Sequence, residues 1–349
     1  PTYMDKELFE EIKQHLDKKL PKFSDNEYVA FPKQDYDLVK IEKENFHILP
    51  ETTPDKKISF IDGGNSSLLE APNFSLQLIR VAAVTYKNKV KINIERKDVY
   101  CLVNSEKDNN DILFKAKIFQ DKDKIFQKEE FTFNSMDQTI KKGNHRARID
   151  EINNIIRKFL ELEFATLLTD KTDVIVLDNS LQSSITGEQE YFNNLYQKAK
   201  QNNTIISGLT KTTHMMTNNG NSVAALLQDI GEDTWFYYPL VHSKTTSHQA
   251  DIAFLKLHEK TQHVFRFEIY KEQNELINDV IALLKQQSHD PVFFGYPYGL
   301  IQADAFARIT NKEKEYVLTK FLARFGNDFQ KLKKYMTAID AHSILDSIG

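Results

Sequence analysis

A single cysteine, Cys101, supplies the only thiol in the 349 residues. It excludes an internal disulfide framework and a cysteine-based zinc site, and it fits a reducing cytosol. No run of ~18 apolar residues occurs, so no membrane span is expected. The charged N-terminal stretch lacks the apolar core of a secretion signal, and a cytoplasmic location is the expectation. No Gly-x-x-x-x-Gly-Lys-[Ser/Thr] loop is present, which excludes a P-loop motor within this chain. Excess positive charge is missing too. At a net charge of −4, any contact with nucleic acid must come from local patches. There is no internal repeat and no low-complexity tract.

What is present suffices for a sizeable core. Apolar residues make up 40% of the chain, with 24 Phe and 14 Tyr, enough for one large domain or a domain with appendages. Two stretches share one design. In Lys57-Ile58-Ser59-Phe60-Ile61-Asp62-Gly63-Gly64, the apolar residues predict a short strand, and Asp62 stands where it gives way to glycine. In Val174-Ile175-Val176-Leu177-Asp178-Asn179-Ser180, Asp178 closes a second apolar strand. A carboxylate at the end of a buried strand is costly unless its charge is satisfied. Two of them suggest a shared cation, and hard oxygen ligands favour Mn²⁺ or Mg²⁺. The plainer alternative is that each aspartate caps a turn.

The rest of the chain reads as follows. Residues 5–20 predict an amphipathic helix with Leu8, Phe9, Ile12, Leu16 and Leu20 on one face, ended by Pro21. Residues 21–56 predict an irregular arm. Strands are expected at 74–85 and 90–103, joined by a turn at Lys87-Asn88-Lys89. A polar insertion follows over about 104–148, with short β pieces at 112–119 and 129–133. Residues 150–168 predict a helix, 187–201 another, and 204–209 a strand. Three β segments follow at 235–241, 252–257 and 263–270, then a helix over 275–287. An aromatic-proline turn and helix are expected over 291–310. Val317, Leu318, Phe321, Leu322 and Phe325 mark a last helix, with the basic Lys331-Leu332-Lys333-Lys334 beyond it. The expected organisation is an arm over 1–56, a main domain over 57–310 and a helical tail over 311–349. Strands first, then strands alternating with helices, indicate a mixed α/β sheet.

Further candidates surround the two aspartates. The helix before Asp178 offers Glu161 or Glu163; periodicity places Glu163 among Ile152, Ile156, Phe159 and Leu167, and Glu161 near Arg157, Phe164 and Leu168. Lys211, at the end of the 204–209 strand, suits a phosphate or a developing negative charge. Arg266 and Glu268 alternate with Phe265 and Phe267, as a cross-strand ion pair or one wall of a cleft. In Phe294-Gly295-Tyr296-Pro297-Tyr298-Gly299, Tyr296 suits base stacking or a phosphate contact, and Asp304, about one helical turn in, suits a metal ligand.

Together these segments resemble the NurA nuclease family. The resemblance rests on Phe60-Ile61-Asp62-Gly63-Gly64, Leu160-Glu161-Leu162, Val176-Leu177-Asp178-Asn179-Ser180-Leu181, Ser207-Gly208-Leu209-Thr210-Lys211-Thr212, Arg266-Phe267-Glu268 and Gly295-Tyr296-Pro297 through Asp304. Their order matches the family over roughly 57–310. Gly64 and Asn179 interrupt the family's usual Asp-Gly-Ser strand motifs, and Asp304 stands where some members have histidine.

The resemblance implies a ribonuclease H-like mixed sheet flanked by helices, related to the Piwi domain of Argonautes, with N-terminal and C-terminal helical extensions. It implies a manganese-dependent DNA nuclease, with 5′-to-3′ exonuclease and single-strand endonuclease activity. It also implies a homodimer working with a HerA-type hexameric ATPase in resection of double-strand breaks. It selects Glu161 over Glu163. Asp62, Glu161, Asp178 and Asp304 would hold the metal, Lys211 would steady the scissile phosphate, and Arg266 and Tyr296 would contact DNA. An actin-like or sugar-kinase-like ATPase on a related fold is a second reading. Only 11 glycines and no second glycine-rich phosphate loop count against it. A non-catalytic DNA-binding scaffold is a third, and retention of all four carboxylates argues against that.

Overall fold

The structure, a computed structural model, describes residues 6–19, 26–122 and 124–326. The Lys331-Leu332-Lys333-Lys334 run and the end of the expected tail lie outside these residues. Helix α1 (Lys6–Lys19) forms as its spacing predicts, with Leu8, Phe9, Ile12 and Leu16 exposed. The arm after it is more ordered than expected. Its short strands β1 (Tyr36–Leu38) and β2 (Phe46–His47) both join a later strand, and Val29, Tyr36 and Ile41 are buried.

The centre begins with an antiparallel meander of β3 (Ile58–Ala71), β4 (Phe74–Lys87) and β5 (Val90–Asp108). Asn88 and Lys89 turn the chain between β4 and β5 with φ of 49° and 65°, the left-handed pair that suits a tight hairpin. β3 does not stop at Asp62. It pairs with β4 through Gly63 and Gly64 as far as Ala71, so the expected strand end is mid-strand. The expected insertion likewise extends the sheet, as β6 (Asp111–Phe119) and β7 (Glu130–Asn134). Phe114, Ala116 and Ile118 alternate inward along β6 and join the core, which anchors a stretch that reads as polar.

Helix α2 (Ile149–Leu168) leads to β8 (Val174–Leu177), which lies parallel to β3 in register from Ile58↔Val174 to Ile61↔Leu177. Every residue of β8 is buried, as its uninterrupted apolar run requires. Helix α3 (Glu188–Asn202) follows, and β9 (Ile205–Thr210) lies parallel to β8. A helix not expected from the spacing, α4 (Val223–Ile230), starts at Ser222, whose side chain accepts from the Ala225 N–H. Strands β10 (Trp235–Ser243), β11 (Ala250–Lys256) and β12 (Phe265–Tyr270) are antiparallel. Helices α5 (Ile277–Gln286), α6 (Tyr298–Ala307) and α7 (Asn311–Phe325) end the described chain.

The described strands form one sheet in the order β1-β10-β11-β12-β9-β8-β3-β4-β5-β6-β7, with β2 on β10. Its middle, β5-β4-β3-β8-β9, runs antiparallel and then parallel, the mixed ribonuclease H-like arrangement expected above. One face packs on α2 and α3, the other on α5 and α6. Among the described residues, no helix is long and apolar enough to cross a membrane.

Helix α6 lies close to β3 because Gly299 has no side chain: a Cβ there would overlap the Phe60 ring, which is fully buried. Gly299→Ala is expected to cost about 1–3 kcal/mol by overpacking. Thermal denaturation checks this, and an unchanged melting temperature would mean that α6 can move off β3.

Candidate active site

The site forms where β8 stops and β3 continues. Asp62 and Asp178 each follow the last paired positions, Ile61 and Leu177, and the Asp178 N–H donates to the Ile61 carbonyl at 3.3 Å. The Gly63 N–H donates to Asp62 Oδ1 at 2.7 Å. Glu161 reaches this point from α2 and is buried. A Cβ on Gly63 would overlap its carboxylate, so glycine at 63 is what lets the helix acid approach the strand. Arg157 Nη1 donates to the Gly63 carbonyl at 2.8 Å and to Glu161 Oε1 at 2.7 Å. Asn179 Nδ2 lies 3.4 Å from Glu161 Oε2.

Glu163 sits elsewhere. Burial raises its carboxyl pKa, and so does Glu190 on α3. Helix α2 is covered by the sheet and also by α3, so both glutamates are at least half-buried, and periodicity alone does not separate them.

Lys211 Nζ donates to Asp178 Oδ2 at 2.6 Å and lies 5.5 Å from the Tyr296 ring centre. The Tyr296 hydroxyl donates to Asp178 Oδ1 at 3.2 Å. Its ring is buried between Phe265 and Phe293, with centroids 5.2 and 5.3 Å away, so the expected stacking on a base is corrected to a hydrogen bond that orients Asp178. Asp304 lies nearly two turns into α6 rather than one, and Arg308 Nη2 donates to it at 2.9 Å. Its charge still acts on Lys211 and Tyr296.

The electrostatics are those of crowded acids. Burial, then Glu161 and Asp178, push the Asp62 carboxyl up to about 7, against the Gly63 N–H and Lys211. Burial also raises Glu161, in spite of Arg157 and Lys158. For Lys211, burial opposes the charge, but the Asp178 hydrogen bond and the negative field of Asp178, Asp62 and Asp304 raise its pKa overall.

Among the described residues, no three His, Cys, Asp or Glu side chains are drawn together as a ready metal cage. Arg157 holds Glu161, and Lys211 holds Asp178. The donor set nonetheless suits a hard divalent ion. Asp62 is destabilised by both neighbouring carboxylates, and a cation relieves that repulsion.

Arg266 is mostly buried and tied to Glu268 on its own strand, Nη2 to Oε1 at 2.5 Å. It is therefore neither a cross-strand pair nor an open cleft wall. Glu268 Oε2 accepts from the Leu181 N–H at 2.7 Å and lies 2.9 Å from His248 Nε2, and the Tyr36 hydroxyl lies 3.0 Å from His248 Nδ1. The alternation in Arg266-Phe267-Glu268 signals that pair. Nothing in the sequence signals His248, which arrives from a distant segment.

A model of the NurA domain matches residues 56–309. Among solved structures, the chain is similar to the NurA nuclease from Sulfolobus solfataricus, at 13% identity and a TM-score of 0.49, covering 93% of this chain and 98% of that one. It is similar to the catalytic domain of human endonuclease V, at 10% identity and a TM-score of 0.38, covering 91% and 99%. It is also similar to Ciona intestinalis endonuclease V in complex with a 24mer DNA containing an inosine followed by a ribo-adenosine, at 13% identity and a TM-score of 0.37, covering 90% and 100%. No curated protein matches the chain in sequence.

Proposed function

This chain belongs to the NurA family, and from that premise we propose that it is a metal-dependent DNA nuclease. What supports the reading is that Glu161 and Asp178 both bear on the charge of Asp62 where β8 ends, with Lys211 and Tyr296 on Asp178. Asp62, Glu161 and Asp178 are the proposed ligands of Mn²⁺ or Mg²⁺, with Asp304 at the periphery. Such an ion, when bound, supplies the charge that activates water and steadies the leaving oxygen. Tyr296 orients Asp178. Arg157 and Asn179 position Glu161. Lys211, half-exposed, is placed to receive the negative charge of a phosphate. Arg266, tied to Glu268, contributes positive field beside β9 rather than a free hand on DNA.

The finer reading is a cytoplasmic, manganese-dependent enzyme with 5′-to-3′ exonuclease and single-strand endonuclease activity. It resects broken ends as a homodimer docked on a HerA-type ATPase. The exposed Leu8, Phe9, Ile12 and Leu16 of α1 support a protein contact there. A monomer by light scattering at micromolar concentration, with no shift on adding the ATPase, would overturn the assembly.

The direct test is a labelled duplex with a single-stranded end, incubated with Mn²⁺, with Mg²⁺ and with chelator. Cleavage with metal alone is expected, and no cleavage with either ion would refute the activity. In the same assay Lys211→Ala is expected to lower kcat by roughly 10²–10³-fold, the usual loss for removing a donor to developing charge. Calorimetry of that variant should still show Mn²⁺ binding.

A further inference from the structure

The carboxylates have a neighbouring surface that the activity above leaves unused. β12 begins where β9 ends, as the pairing Arg266↔Thr210 shows. The 257–264 loop before β12 therefore emerges at the same end of the sheet as Lys211 and Asp178. The turn over 291–297 packs onto that loop. Gly295 permits this with φ of 84°, because a Cβ would press on the Thr261 side chain at 2.6 Å.

The two segments interleave aromatic and basic groups. The Phe294 ring stacks on His258 with centroids 4.7 Å apart and an angle of 29°. Lys260 Nζ lies 5.6 Å from the same ring centre. His263 meets Phe293 edge-on at 5.2 Å, and Phe293 stacks on Tyr296, whose hydroxyl holds Asp178. His258, Phe293 and Phe294 are half-buried, and Lys260 and His263 are exposed. Glu259 is the one acid in the 257–264 loop.

We propose that Phe294 and His258, rimmed by Lys260 and His263, form a stacking platform that delivers single-stranded DNA to the carboxylates. The proposal rests on the nuclease reading and adds to it the surface that takes the unpaired strand. A ring that served only the core would be sheathed by apolar neighbours. Phe294 instead carries an imidazole on one side and an ammonium nearby, and part of it faces water. Unpaired bases have free π faces for such a surface, whereas the bases of a duplex stack on one another. The cation beside the ring adds attraction for the phosphate backbone.

The test is fluorescence anisotropy of a labelled oligothymidine in chelator, which separates binding from cleavage. Phe294→Ala is expected to weaken binding about tenfold, within the range for loss of one base–aromatic contact. Phe294→Leu keeps the apolar bulk and should weaken it similarly. Lys260→Ala should lower the salt dependence of binding by about 0.7 in slope, one phosphate contact on a single strand. A blunt duplex should bind the parent and the Phe294 variants alike. Should Phe294→Ala fail to fold, Phe294→Leu and Lys260→Ala decide. Parent-like affinity and salt slope in these variants, or no single-strand binding by the parent, overturn the platform. Cleavage by the parent with Mn²⁺, scored separately, decides the nuclease reading.

Discussion

Asp62→Asn is expected to abolish metal-dependent cleavage while making the metal-free protein more stable. The amide keeps the shape and the Gly63 N–H contact, but it removes the charge proposed to hold the ion. The gain in stability follows from crowding. The Asp62 carboxyl titrates at 3.8 in its ordinary state and at about 7 in the fold. Folding therefore takes up a proton between those values, and this contribution is lost as pH rises through 7. At pH 8 the ionised side chain costs as much as roughly 4 kcal/mol, which the amide avoids. Binding of uncleaved DNA should hold or tighten, since a negative charge near phosphate disappears. Chemical denaturation in chelator at pH 8 and at pH 5, beside the cleavage assay, reads both effects. Full activity in the purified variant would falsify the ligand assignment.

Glu268→Gln is expected to destabilise the fold by about 3–5 kcal/mol at pH 7, the cost of leaving a buried charge unpaired. Burial alone would raise the Glu268 pKa, but Arg266 and then His248 outweigh it and hold the carboxyl at about 2, below its ordinary 4.5. The contribution is therefore complete above about 4.5 and is lost as pH falls toward 2. Over that window the parent should lose about 3 kcal/mol that the variant never had. Urea unfolding at pH 7 measures the first number, and the comparison with pH 3, which lies inside the window, should show about 2 kcal/mol of the second. A variant within 1 kcal/mol of the parent at pH 7 would show that Arg266 finds another partner.

The parts of this molecule differ in how far local sequence specifies them. The Asp178 strand is readable because burial on both faces demands an unbroken apolar run, and Val174 to Leu177 has one. Asp62 is found in the sequence for an incomplete reason. The residues after it look like a turn because they are polar and glycine-rich, yet pairing with the apolar β4 keeps them extended. Whether such a segment is strand or loop depends on its partner. The same holds for β6 and β7, which become core by joining a sheet. Tyr296 illustrates the limit for side chains. Its type suits stacking on DNA, but Phe265 and Phe293 already occupy its faces. Family resemblance chooses Glu161, whereas the physical reason, the missing Cβ of Gly63, becomes visible only when α2 is set against β3.

The length of β3 has a consequence for dynamics. Asp62 lies in a strand paired with β4 along nearly its whole course, while β8 supports only the part up to Ile61. Moving the Asp62 backbone would mean opening the central hairpin, which is among the last parts of a fold to exchange its amide hydrogens. Arg157 and Lys211, in contrast, hold their carboxylates through side chains, and the half-exposed Lys211 rearranges on the nanosecond scale of surface groups. Adjustment to an ion or a phosphate therefore falls to the tips of those two cations, on a backbone that stays still. Hydrogen exchange around residues 60–64 should track global unfolding, so any loss of fold stability reaches the site as fewer intact molecules rather than as a distorted one.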